Sequence, residues 1–157
     1  MDFETYQQTY FTDPPPEPVY EYKGMHGVTL FYQDFEAAVA YYSSVLGPPA
    51  YLEGEGTRGW HIDDTWLTLL QGQRGNPTNV EINFVMTTPA EADRLQAAFI
   101  AAGGTGKPPS IQFMYAPVRH CPVRDPFGTD IWAFLVRVLE AAKLMAAKLP
   151  AAKLPME

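Results

Sequence analysis

The chain has 157 residues, 46% of them apolar and 13% aromatic. That suffices for one packed domain or two small joined modules, and is too apolar for a chain disordered throughout. The formal net charge of -7 repels a phosphate backbone, so nucleic acid is a poor partner, and no run reaches the roughly 18 apolar residues that span a bilayer. Cys121 is the only cysteine, which forbids an internal disulfide and fits a reducing compartment. The N-terminus shows neither a basic nor an apolar signal region, so a cytoplasmic location is expected.

Residues 1–22 read as an acidic tail. Pro14, Pro15, Pro16 and Pro18 favour extended polyproline backbone over helix. Tyr6, Tyr10, Phe11, Tyr20 and Tyr22 make the tail either a loose leader or an arm that docks its aromatics on the domain or on a partner subunit. A paired domain is expected over 23–138, with its first module at about 26–72. There Gly27–Gln33 alternates like a strand, with Val28, Leu30 and Tyr32 on one side and Thr29 and Phe31 on the other. Asp34 can cap a helix to Leu46 with the stripe Phe35, Val39, Tyr42 and Leu46, and Gly47-Pro48 ends it. Strands near Ala50–Glu53, Gly59–Ile62 and Thr65–Gln71 follow, then a linker over Gly72–Thr78.

A second module, about 79–136, restarts the same order roughly 55 residues on. Val80–Met86 is a strand with Ile82, Phe84 and Met86 on one face and Glu81, Asn83 and Val85 on the other. Thr88-Pro89-Ala90-Glu91 starts a helix with a capping box; Leu95, Ala98, Phe99 and Ala102 form its stripe, and Gly103-Gly104 stops it. Strands are expected near Ser110–Tyr115, Arg119–Val123 and Asp130–Val136, with an Asp125-Pro126-Phe127-Gly128 turn before the last. Residues 139–157 read as a helix running into a low-complexity tail with a five-residue repeat. The expected class is α+β: two tandem βαβββ modules forming a concave mixed-sheet cup, with an extra C-terminal helix.

Several fragments follow one another in a telling order. They are Val28-Thr29-Leu30-Phe31 leading to Asp34, and Glu36-Ala37-Ala38 through Tyr41-Tyr42 to Leu46-Gly47. Next come Phe84-Val85 through Glu91-Ala92 to Gly103-Gly104, then Val123-Arg124-Asp125-Pro126-Phe127-Gly128 before an apolar strand. This order resembles the vicinal oxygen chelate superfamily, which includes glyoxalase I, bleomycin-resistance proteins and extradiol dioxygenases. The resemblance implies a cup between paired modules, in a homodimer or a fused-module monomer. In metal-dependent members it implies four ligands, typically His, Glu or Gln, from the first and fourth strands of each module. Those positions fall here on Gly27, near Thr68, on Glu81 and on Trp132. Only Glu81 ligates well, and His26 lies one residue off, on the opposite strand face. No metal or other cofactor is therefore expected, with a divalent ion as the alternative.

Thr29, Phe31, Trp66, Thr68, Asn83, Trp132 and Phe134 should share the cup-facing side. They either bind a flat, partly apolar ligand or fill the cup as core. Glu81 should point into the cup as a buried carboxylate, acting as a general base or a hydrogen-bond acceptor, or else pairing with an arginine. His61 and His120 lie in expected strands, either assisting Glu81 or serving as ordinary surface histidines. Cys121 lies among Arg119, His120 and Arg124, and reads as structural despite those cations. The leading expectation is a homodimeric protein that binds a small aromatic or amphipathic molecule, without nucleic acid or membrane. The alternatives are a metal-independent isomerase or lyase using Glu81, a metal-dependent glyoxalase- or dioxygenase-type enzyme with a non-standard site, and an interaction module.

Overall fold

The computed structural model describes residues 1–113 and 116–136, the last three of these as backbone only. The helix and repeats expected at 139–157 lie outside the described residues. In chain order the elements are α1 (Phe3–Tyr10), β1 (Gly27–Tyr32), α2 (Phe35–Leu46), β2 (Tyr51–Glu53), β3 (Thr57–Ile62) and β4 (Thr65–Gln71). Then come β5 (Glu81–Val85), α3 (Pro89–Ala101), β6 (Thr105–Gly106), β7 (Ser110–Phe113), β8 (Pro117–Arg124) and β9 (Asp130–Val136).

One sheet runs β1-β4-β3-β2. The other runs β5-β9-β8, and β6 and β7 share the remaining edge of β8. These two strands are pieces of one interrupted edge. Lys107-Pro108-Pro109 lies between them, and a proline cannot donate to a ladder. Buried Gln96 of α3 spans the gap, donating to the carbonyls of Lys107 at 2.8 Å and Pro122 at 2.9 Å. Both sheets therefore have the order first, fourth, third, second, each with a parallel pair at one edge, β1 with β4 and β5 with β9. The expected duplication is present; the two-residue β6 was not expected, and β3 begins earlier than expected, at Thr57.

Period-two alternation decides which faces are covered. Leu30 and Tyr32 are buried while Thr29 and Phe31 are exposed; Ile82 and Phe84 are buried while Glu81, Asn83 and Val85 are exposed. Helices α2 and α3 cover the apolar faces and share one core. The Phe99 ring of α3 lies 5.8 Å from Tyr41 and 6.0 Å from Tyr42, and the Tyr41 hydroxyl donates to the Phe99 carbonyl at 3.0 Å. Because α2 meets α3 as well as its own sheet, its buried stripe is wider than one row. Phe35, Ala38 and Tyr42 are fully buried and Tyr41 nearly so, and the expected Val39 and Leu46 lie at the margin.

Local caps follow the sequence in part. Thr88 Oγ1 accepts from the Glu91 amide at 3.1 Å, but the Glu91 carboxylate pairs with Arg94 at 2.7 Å instead of closing the capping box. Asp34 makes no side-chain cap bond; Asn76 of the linker donates to its carboxylate at 2.8 Å and accepts from its amide at 3.0 Å.

The N-terminal segment departs from an extended tail. Asp2 accepts from the Thr5 amide at 2.8 Å and caps helix α1, which ends before the prolines begin. Phe3 and Tyr6 pack on Phe113 of β7, with centroids 5.6 and 5.4 Å away. The arm thus docks its first aromatics on its own domain, while Tyr20 and Tyr22 remain exposed. No helix among the described residues is long and apolar enough to cross a membrane.

Candidate functional site

The sheet faces turned away from the helices are open. On the second sheet, Glu81 lies opposite Asp130, Asn83 opposite Trp132, and Val85 opposite Phe134. Across the next pair, Pro122 lies opposite Trp132 and His120 opposite Phe134, and Ser110 of β7 lies opposite His120. Alternation sends this set to one face. There a cleft of about 630 Å³ is lined by Glu81, Lys107, Ser110, Gln112, His120 and Trp132, together with Arg124 and Asp130.

His120 is only 8% exposed. Its Nδ1 lies 2.9 Å from Gln112 Nε2, which also donates to Ser110 Oγ at 3.1 Å. Its ring centroid is 4.0 Å from that of Trp132, in an edge-on arrangement. Nε2 is buried and meets no hydrogen-bond partner among the described residues. Burial lowers the pKa of the ring and favours the neutral imidazole.

Glu81 lines the same cleft but is exposed, contrary to the buried position expected, because it opens an edge strand. Partial desolvation holds its carboxyl above the ordinary range; a hydrogen bond from Asn83 opposes this, and the charge of Asp130 adds to it. Arg124 holds Asp130 with two bonds, at 2.8 and 3.0 Å.

The first sheet carries a separate hollow. Thr29 lies opposite Thr68, Gly27 opposite Trp66, and His61 opposite Trp66. Thr29, Trp66 and Thr68 line about 330 Å³ together with His26 and Tyr51. The His61 ring sits 4.6 Å from the Trp66 ring. Phe31 shares this sheet face but lines a different hollow, beside the Gly72–Thr78 linker. Asn83 lies in a crevice between β1, β4 and β5. The fold therefore brings Glu81, His120 and Trp132 together and leaves His61 on the other sheet. The Phe134 side chain lies outside the described residues. Sequence reasoning missed Gln112 and Ser110, although their two-residue spacing in an expected strand places them on one face.

The four ligand positions implied by the resemblance do not fit a divalent ion. A Cβ on Gly27 would lie 2.0 Å from the Trp66 carbonyl oxygen, so that position admits no ligand side chain without movement of the backbone. Trp132 offers an indole and Thr68 a weak hydroxyl donor, which leaves Glu81 alone. Among the described residues, no three His, Cys, Asp or Glu side chains group to hold a metal.

Cys121 is fully buried, and its Sγ donates to Asp93 Oδ1 at 3.4 Å. Arg119 holds the same carboxylate at 2.8 and 2.9 Å. Burial, reinforced by Asp93, pushes the thiol up to about 11 and outweighs the nearby guanidinium.

Solved structures share the fold over about three quarters of the chain. A glyoxalase/bleomycin resistance protein from Albidiferax ferrireducens T118 is 22% identical over 72% of this chain and 98% of its own, with a TM-score of 0.59. The fold is that of the glyoxalase/bleomycin-resistance proteins. Lactoylglutathione lyase from Agrobacterium tumefaciens shares this fold, at 16% identity over 73% of this chain and 95% of its own, with a TM-score of 0.59. A glyoxalase-related enzyme from Fulvimarina pelagi does so at 17% identity, over 73% and 88%, with a TM-score of 0.60. Neither a protein-family model nor a curated protein matches the sequence. At these identities the glyoxalase/bleomycin-resistance likeness establishes the fold and leaves the chemistry to the site itself.

Proposed function

We propose that this glyoxalase/bleomycin-resistance-like chain binds a small aromatic or amphipathic molecule on the open face of its second sheet, held by side chains and not by a metal. The cleft that joins the Trp132 indole to the buried His120 supports this reading. A flat ring stacks on the indole while its polar atoms meet Glu81, Gln112 and His120, the mixture of apolar wall and few polar groups that ligand pockets use. Phe31 and Val85 are 57% and 64% exposed on the open faces, which supports a homodimer whose second copy roofs the cup. The buried free thiol suits a cytoplasmic location. The test is a screen of aromatic compounds by tryptophan fluorescence. Saturable quenching that is lost in Trp132→Ala supports the reading; a panel in which nothing saturates refutes it.

A second reading is a metal-independent isomerase or lyase with Glu81 as general base. The raised carboxyl of Glu81 in the cleft of His120 favours it. Once a turnover assay exists, Glu81→Gln should abolish activity at unchanged Tm. Full activity in that variant removes this reading.

A further inference from the structure

The open face of the first sheet carries an aromatic corner on the other side of the molecule's duplication from the cleft of His120. Thr29, Thr68, Gly59 and Tyr51 lie opposite one another in a row across β1, β4, β3 and β2. Alternation turns the side chains of that row away from the helices, together with that of Trp66 two residues before Thr68. Gly59 lets the corner form. A Cβ there would lie 3.2 Å from Tyr51 Cβ and 3.3 Å from the Trp66 ring, so its absence allows the two aromatics to close over the strand. Their ring centroids are 6.3 Å apart and their planes cross at 72°. Both rings wall the hollow of about 330 Å³, with Thr29, Thr68, Gly27 and His26 completing its lining. Tyr51 is 45% exposed and Trp66 is half-buried, so the rings are open to a ligand. His61 packs on Trp66 at 4.6 Å from outside the hollow.

The charges around the corner narrow the ligand. Among the described residues, no lysine or arginine lines the hollow. Arg58 is the one guanidinium on β2, β3 and β4, and it serves the opposite sheet face. It lies 5.9 Å from the ring of buried Phe35 and donates to the carbonyls of Gly54 and Thr57. Glu53 accepts from the Tyr51 hydroxyl at 2.8 Å, which sets a carboxylate against that wall. The chain as a whole carries a net charge of -7. A small cation is attracted both by the ring quadrupoles and by this field, and a neutral molecule of the same shape is not. The hydroxyls of Thr29 and Thr68 offer acceptors for a polar group attached to the cation.

We propose that this hollow is a second binding site, built for a compact alkylammonium group. The carbons around the charged nitrogen lie against Trp66 and Tyr51, and the polar end of the molecule meets Thr29 and Thr68. The site is independent of the binding reading above, which seats its ligand on the other sheet.

The test uses the whole chain and two probes of the same shape, choline and the uncharged 3,3-dimethyl-1-butanol. NMR reads the Trp66 and Trp132 indole N–H signals separately, and the amides of Thr29 and Thr68 report the floor of the hollow. Choline should move Trp66 saturably and leave Trp132 in place. It should bind about five- to tenfold tighter than the neutral probe, the advantage that cation–π contact with two partly exposed rings supplies. In Trp66→Leu and in Tyr51→Leu, read at the threonine amides, that advantage should shrink to about twofold or less. Each variant is first shown to be folded by its amide spectrum, and Tyr51, exposed on an edge strand, carries the comparison if the Trp66 variant does not fold. Equal binding of the two probes overturns the proposal. So does an advantage that survives in the folded variants, choline shifts centred on Trp132, or choline that never saturates. None of these outcomes touches the binding reading, which is tested with aromatic compounds at Trp132.

Discussion

Tyr42 and Asp125 lie 83 residues apart in sequence and meet at 3.0 Å, the tyrosine hydroxyl donating to the carboxylate Oδ2. Tyr32 donates to the same oxygen at 3.1 Å, while Oδ1 accepts from the amides of Phe127 and Thr129 at 2.9 and 2.8 Å. Asp125 is buried, so one carboxylate ties the Asp-Pro-Phe-Gly turn of the second module to β1 and α2 of the first. Tyr42→Phe should cost about 2 kcal/mol, the loss of one hydrogen bond to a charged group. Asp125→Ala should cost at least about 3 kcal/mol, because it strands several buried donors. Urea midpoints at constant m-value measure both. The exposed pair Arg94–Glu91 is the control, and Arg94→Ala should change stability by less than about 0.5 kcal/mol.

Alkaline pH should weaken the same core. Burial raises the pKa of the Tyr32, Tyr41 and Tyr42 hydroxyls and pushes the Cys121 thiol up to about 11. The folded protein therefore holds these protons more tightly than the unfolded chain. The stability they contribute is fully present below the ordinary values of 9.0 for the thiol and 10.0 for the phenols, and is lost as pH rises through the folded values. Tm should fall progressively above about pH 9, and Cys121 should resist alkylation until the protein is unfolded. A constant Tm through the alkaline range contradicts this.

Introducing a metal ligand at Gly27 should fail. The Trp66 carbonyl occupies the space that any Cβ needs, so Gly27→His should lose about 3 kcal/mol or more and gain no metal. Thermal unfolding and metal content of the variant test this together. A stable Gly27→His protein that binds a stoichiometric divalent ion would show that the strand can yield.

The N-terminal arm should steady the edge of the second sheet. Tyr6→Ala removes a ring contact with Phe113 and should cost about 1 kcal/mol. Amide exchange in β7 should quicken more than in β1. Unchanged exchange at β7 would show that the arm does not support that edge.

These relationships differ in how far the sequence announces them. The alternation in β1 and β5, the Thr88 cap and the Asp125–Gly128 turn are local patterns, and each forms where it was expected. The alternation that turns Glu81 and Trp132 each away from the helices is local in the same way, but bringing the two into one cleft takes the register between β5 and β9. Helix α1 was not legible: the nearby prolines dominate the composition, and its support is a tertiary contact with Phe113. The grip of Gln112 on His120 depends on the register between β7 and β8, which no local pattern sets. The separation of His61 from His120 follows from which sheet each occupies, not from strand propensity.

The decisive measurement is an NMR titration of the whole chain with a panel of small aromatic compounds, before and after dialysis against EDTA. The Trp132 indole N–H and the His120 ring signals should move saturably, with the same Kd in both samples. Signals that no compound of the panel moves, or movement that vanishes with the chelator and returns with a divalent ion, would contradict metal-free binding in this cleft.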